Sequence, residues 1–334
     1  MYTKESICII SPHLRNALQG LTLSALEDIP HPDFEDLSLY IPFPYLWWFN
    51  RRDQIAKAVA ESDAESQCYL SLMQNYMFDR LQSDWSKVDE LTSKGLITVE
   101  YLNYIYTPGQ ILISEAVGND LAQTRCYRVL NWMKKHYSRY DESPVSMIRA
   151  SWWLFDGTFK EIEDDLIITA PDLTDEFKIE SLSYYPQRFA SPNLVRSLLD
   201  RGKMFWECRE RKYVSTSDFG GDGLQSSVRV FLAIWFEYVS LTSNQMDSRF
   251  MIDMETYKYM HLKASGKEID RHMTVIRTID PQQMHHAELS ARNDFIMCLP
   301  TTIVGFNMNK KEWGAINTHG SPKNTIILLI SASS

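Results

Sequence analysis

A chain of 334 residues, 44% hydrophobic and 23% charged, has an ordinary globular balance and is long enough for one large domain or two moderate ones. Its net charge of −9 argues against a chain-wide footprint for nucleic acid, which needs clustered Lys and Arg. Five widely spaced cysteines, never in CxxC order, make neither a disulfide framework nor a zinc site, and no apolar run reaches the roughly 18 to 20 residues of a membrane helix. With no signal-peptide pattern at the N-terminus, the expectation is an intracellular, reducing setting, cytoplasmic or nuclear, with no membrane partner.

The segment "ICIISPHLRNALQGL" runs from a short apolar strand into Ser11-Pro12, a cap and first-turn proline, and on into an amphipathic helix. A second strand-to-helix transition follows in "YIPFPYLWWFNRRDQI", where Pro42 and Pro44 keep the backbone extended and the helix starts near Leu46. Trp47, Trp48, Arg51 and Arg52 on that helix are candidate protein-contact residues, because Trp and Arg recur as interface anchors; packing into the core is the competing use of the two rings. Leu70, Met73, Met77, Leu81, Trp85, Val88 and Leu91 then recur at helical spacing until Gly95, which fits a left-handed C-terminal cap. Thr98, Tyr101, Leu102 and Ile105 predict a short helix, Thr107-Pro108-Gly109 a turn into the strand "QILIS", and "CYRVLNWM" further extended chain.

Beyond the polar connection "SRYDESPVSMIR", Asp156-Gly157 between "WWLF" and "TFKEI" predicts a hairpin with a two-residue turn. "FKIESLSYYPQRF" reads as a strand and a proline turn, "SPNLVRSLLDRGKMFWE" as a capped amphipathic helix, and "RFMIDMETYKYMH" and "FIMCLPTTIVGF" as strands. The expected fold is α+β, with a helix-rich N-terminal part (1–137), a strand-rich, mostly antiparallel part (150–313), and an irregular tail (314–334) outside the fold.

A phosphate-cradling GxxxxGK[ST] loop is missing: "GGDGLQSS" lacks the Lys, so Gly220, Gly221 and Gly223 read as a flexible loop, and "HGSPKNT" has the wrong spacing. His285 and Glu288 share a helix face with His286 beside them, yet two ligands do not make a metal site and HExxH is absent. Asp164 and Asp165 read as a solvated edge without a catalytic partner. Cys208 lies between "FWE" and "RER", where Arg can lower a thiol pKa, although a buried structural cysteine is the favoured reading. No catalytic residue, ATP-binding residue, metal ligand or cofactor emerges from these patterns.

Eight segments in order, "ICIISPHLRNAL", "YIPFPYLWWFNRRDQI", "LTSKGLITVEYLNYIYTPGQIL", "WWLFDGTF", "IESLSYYPQRF", "LLDRGKMFWECRERKYV", "SRFMIDMETY" and "CLPTTIVGFNMNKKEW", resemble the N-terminal region of fungal AAA+ ATPase-like proteins. In that group the region is a domain of unknown function ahead of the ATPase module. The resemblance implies a non-catalytic substrate- or adaptor-interaction module, with a protein or an ATPase module as partner; the positions that would bind ATP have no counterpart here. Two stretches depart from the family, the tail from Gly314 and the apolar "VRVFLAIWFEYVSLTSNQ" (228–245), each open to being translated non-coding sequence, the latter equally to being a real buried element. The alternatives in function are a stand-alone enzyme centred on His285, His286 and Glu288, or a truncated fragment of an ATPase.

Overall fold

The computed structural model describes residues 5–36, 40–115, 121, 123–136, 145–169, 176–215, 249–261, 274–279, 289 and 291–317. The chain divides into two units interleaved in sequence: residues 1–110, 129–149 and 165–189 form the first, and 111–128, 150–164 and 190–334 the second. The fold class is α+β, helix-rich at the start and strand-rich after it, as the sequence predicts.

In the first unit, β1 (Ser6–Cys8) pairs antiparallel with β2 (Tyr40–Pro42). Helix α1 (Pro12–Ala25) starts where expected, Ser11 Oγ accepting from the Leu14 N–H at 3.3 Å. Helix α2 (Leu46–Glu61) begins after Tyr45, whose left-handed φ of 55° turns its carbonyl to accept from the N–H groups of Trp48 and Phe49. Helix α3 (Ala64–Ser93) is capped by Asp63, and its buried residues are the seven that the periodicity picks out, Leu70 to Leu91. It ends at Gly95, with φ 70°, the conformation that glycine adopts without a steric penalty. The three helices close one core. Beyond it, β3 (Leu96–Ile97) pairs with β9 (Phe177–Lys178), and β6 (Lys134–His136) with the start of β7 (Val145–Phe155). The short helix after Thr98 is a 3-10 turn, Leu102–Ile105.

One sheet sets β4 (Ile111–Ser114), β5 (Arg125–Val129), β7, β8 (Phe159–Ile168) and β13 (Thr274–Ile279) side by side in that order, its second-unit residues being 111–114, 125–128, 150–155, 159–164 and 274–279. The hairpin between β7 and β8 has three connecting residues rather than two. Asp156 Oδ1 accepts from both the N–H and the hydroxyl of Thr158, and Gly157 takes φ 95°. Helix α4 (Pro192–Glu207), capped by Ser191, packs on α6 (Asn293–Met297) at Gly202. Around this contact Trp153, Phe159, Phe205, Trp206 and Phe295 stack edge to face or in parallel.

A second antiparallel sheet runs β11 (Lys212–Ser215), β12 (Arg249–Ile252), β14 (Thr302–Asn307), β15 (Glu312–Asn317). Three expectations change here. Residues Met254–Met260, expected to be extended, form helix α5, because Asp253 caps the Thr256 N–H and hydroxyl. Asn293–Met297 is likewise helical before β14 begins. Residues 314–317 belong to β15, pairing Gly314 with Gly305 and Ile316 with Ile303, so the first part of the expected tail lies in the sheet. Residues 318–334 and 228–245 fall outside the described residues. Among the described residues no helix is long and apolar enough to cross a membrane.

Candidate functional site

Within the first unit α2 and the last turns of α3 leave between them a cleft of about 430 Å³. Its shape starts from Asn50. The Asn50 side chain donates to the Leu46 carbonyl at 2.9 Å and accepts from the Thr107 hydroxyl at 2.7 Å, competing with the helix's own ladder. The next residue, Arg51, leaves helical geometry (φ −121°, ψ 15°), and α2 kinks there. Past the kink, Arg52, Asp53 and Gln54 line the cleft, with Phe49 and Asn50 before it.

The facing wall comes from α3, with Val88, Asp89, Thr92 and Ser93 on one side of the helix at spacings of three and four. Arg52 Nη2 donates to Asp89 Oδ1 at 2.7 Å, and the Arg52 guanidinium lies 4.6 Å from the centre of the Phe49 ring. Thr92 and Ser93 turn their hydroxyls back onto the carbonyls of Val88 and Glu90. Tyr104 supplies a buried wall, edge-on to Phe49 with ring centres 4.9 Å apart. The remaining wall is Arg188 and Phe189, in a 3-10 turn (Gln187–Phe189).

Arg188 differs from the other charges. Its Nη2 donates to the Ile105 carbonyl at 3.2 Å, and its guanidinium sits 5.0 Å from the centre of the Phe189 ring. The residue is exposed, although partial desolvation of the guanidinium lowers its pKa from the usual value, and no carboxylate among the described residues pairs with it. It nonetheless stays charged at neutral pH, since arginine is protonated throughout the accessible range.

Of the four contact residues suggested by the sequence, one reaches this cleft. Trp47 and Trp48 are 4% and 2% exposed and meet each other edge to face in the helical core. They therefore correct the expectation of a contact surface: rings this enclosed pack the core. Arg51 pairs instead with Asp28 at 2.6 Å, outside the cleft lining. Arg52 lines the cleft. The sequence missed Asp53, Asp89 and Arg188, which belong to three separate elements; the helical spacing of Asp89 with Thr92 is visible, but nothing local marks Arg188.

Elsewhere, Asp165 is held by two hydrogen bonds from Arg149, which lower its pKa, as befits an exposed ion pair. Cys208 is buried at the C-terminal cap of α4. His285, His286, Glu288, Gly220, Gly221 and Gly223 lie outside the described residues. Among the described residues no cluster of three His, Cys, Asp or Glu could hold a metal. A second polar cluster, in the second unit, centres on Glu161, which is 3% exposed and accepts from Arg128 at 2.7 Å and Ser151 at 2.8 Å. Its cavity of about 10 Å³ has room for no more than a water, so this network is structural.

Comparison with protein families places a domain of unknown function, DUF7025, at residues 87–191. The match takes in the α3 wall of the cleft, Tyr104, Arg188 and Phe189, and leaves out the α2 wall. No curated protein and no solved structure matches the chain.

Proposed function

We propose that the chain is a non-catalytic interaction module of the kind that precedes the ATPase core in fungal AAA+ ATPase-like proteins, and that the cleft on α2 and α3 holds a segment of a protein substrate or adaptor. The order of the eight sequence segments supports the link to an ATPase, and the match over 87–191 agrees with the presence of a domain of unknown function in that region.

Arg188 is the observation that carries the cleft assignment. It is exposed in the cleft and has no carboxylate partner among the described residues, so a ligand carboxylate can pair with it through charge-assisted hydrogen bonds. Phe189, half-buried beside Arg188, offers an aromatic face for a ligand to pack on, while Phe49 and Tyr104 are enclosed and shape the cleft from behind. The hydroxyls of Thr92 and Ser93 are occupied by their own helix, which argues against a nucleophile in the cleft.

The test is a photo-crosslinking residue placed at Gln54, in the cleft, or at Leu72, exposed on α3 away from it. In cell extract the Gln54 position should yield a discrete protein adduct that Arg188→Glu abolishes, while Leu72 yields none. Identical adducts from both positions, or an adduct indifferent to Arg188→Glu, would refute the assignment. The link to an ATPase is tested by the mature transcript: continuation past the Ser334 codon into a frame encoding GxxxxGK[ST] is the expected result.

A further inference from the structure

We infer that the cleft selects a dipolar peptide segment, presenting a carboxylate to Arg188 and an ammonium or guanidinium group to Asp53, over a polyanion. This rests on the interaction-module reading and names the chemistry of its ligand.

Four charged side chains line the cleft, and two of them satisfy each other. Arg52 and Asp89 form the 2.7 Å ion pair, with Arg52 further engaged over Phe49. That leaves one charge of each sign, Arg188 and Asp53, with no ionic partner among the described residues. Asp53 is exposed, and its carboxylate is ready to meet a cation. Thr92 and Ser93 add the last turn of α3, the negative end of a 30-residue helix.

A phosphate or an all-acidic segment attracted to Arg188 would therefore also face Asp53 and a helix C-terminus, both repulsive, while the Arg52–Asp89 pair adds no net charge. A single carboxylate matched by a nearby cation meets no such conflict. The half-buried Phe189 ring suits the rest of such a ligand, because the methylene stem of Lys or Arg packs on aromatic rings while its charged head stays polar. The volume, about 430 Å³, lies in the range of ligand pockets and fits a stretch of roughly two or three residues.

The experiment uses the full chain and fluorescein-labelled octapeptide pools with fixed Leu and Gly positions, whose remaining positions are mixed Glu and Lys, all Glu, all Lys, or phosphoserine. Anisotropy titration should show the mixed pool binding about three- to fivefold tighter than any single-sign pool, as expected of exposed complementary charge contacts. Asp53→Lys should weaken the mixed pool roughly threefold, the effect of an exposed pair, and improve the all-Glu pool. Arg188→Glu should weaken it further, and the double swap Arg188→Glu with Asp53→Lys should recover it. Because Asp53 is exposed, its variant keeps the test informative if Arg188→Glu perturbs folding.

Tightest binding of the phosphoserine or all-Glu pool by the unaltered chain would overturn the inference, as would indifference to Asp53→Lys. If every pool binds equally and Arg188→Glu weakens them all, the interaction reading survives and the dipolar assignment falls. If the mixed pool does not bind at millimolar concentration, the assignment falls whatever the crosslinker captures; if the Gln54 crosslinker also captures nothing, both readings fall.

Discussion

Two glycines, each within an α-helix, should respond with opposite sign to the same substitution. Gly20 in α1 is exposed, and a Cβ added there would meet nothing within 4 Å. Gly20→Ala should therefore stabilise by about 0.5–1 kcal/mol, the ordinary gain from restricting the unfolded chain and improving helix propensity. Gly202 in α4 is the opposite case. A Cβ there would lie 2.7 Å from Ile296 Cγ2 and 2.8 Å from the Ile296 carbonyl carbon, with the carbonyl oxygen closer still. Backbone cannot rotate aside as a side chain can, so α4 must move off α6. Overpacking of this kind costs about 3 kcal/mol at the upper end, and subtracting about 1 kcal/mol of helix propensity leaves a net loss of about 2 kcal/mol. Because the chain has two units, the readout should be local: native-state hydrogen exchange of α1 amides for Gly20→Ala and of α4 amides for Gly202→Ala. A neutral or stabilising Gly202→Ala would mean that the helices do not touch there, and the packing of α4 on α6 would have to be redrawn.

Trp48→Ala should destabilise the first unit by about 3–5 kcal/mol, the range for deleting a fully buried ring, read by circular dichroism in denaturant; loss of partner binding in that variant would then report unfolding rather than a lost contact. Arg128→Ala should cost about 3 kcal/mol, because it leaves the buried Glu161 carboxylate with the Ser151 hydroxyl as its remaining hydrogen-bond donor, and Glu161→Gln should cost clearly less in the same denaturation assay. At Asp156 burial pushes the carboxyl pKa up, but hydrogen bonds from Lys160 and Thr158 and the charge of Lys258 outweigh it and hold the pKa at about 2. A depressed folded-state pKa gives stability that is present above the unfolded value of about 3.9 and is lost as pH falls through about 2. After allowance for solvent screening this amounts to about 1–2 kcal/mol, so Asp156→Asn should lose that much at pH 7 and flatten the acid limb of the stability profile. Arg52→Ala should change stability by less than about 1 kcal/mol, since its pair with Asp89 is exposed at both ends; a loss of several kcal/mol would make the cleft a structural seam instead of a binding surface.

The helices were legible in the sequence where local chemistry and burial agree. In α3 the spacing from Leu70 to Leu91 specifies the buried stripe, and Gly95 marks its end. Ser11 and Ser191, each followed by proline, marked α1 and α4 equally well. The signal failed where an apolar run was too short to carry a period. "MIDMETYKYM" reads as strand by its apolar content, yet a single aspartate cap at Asp253 ends β12 and begins α5. The cleft was less legible still. Arg52 drew notice for the wrong reason, as a neighbour of two tryptophans that turn out to be buried. Asp53, Asp89 and Arg188 become a set only when α2, α3 and the 187–189 turn come together, and no local pattern encodes a meeting between residues as distant in sequence as Asp53 and Arg188.

The limits of the matched region bear on how such a cleft can be shared and varied. Residue 87 falls inside α3, which begins at Ala64, and residue 191 is the cap of α4. A fragment cut at those positions keeps Val88 and Leu91 but loses Leu70, Met73, Met77, Leu81 and Trp85, and with them the α1 and α2 surfaces they bury. Short helix remnants without a packed face are marginal in water, so 87–191 alone lacks the core that would hold its part of the cleft in place. The cation at Arg188 and the carboxylate at Asp89 lie inside the match, whereas Phe49, Arg52 and Asp53 lie outside it. On the interaction reading, the wall that takes the ligand's carboxylate lies within the matched domain, and the wall that adds the demand for a cation lies before it in sequence. Exchanging the α2 segment 46–61 should therefore remove the preference for mixed-charge over all-acidic peptides, and exchanging 87–191 while keeping a cation at position 188 should not abolish it. The opposite pattern would put the selectivity in the matched domain and remove Asp53 from the recognition.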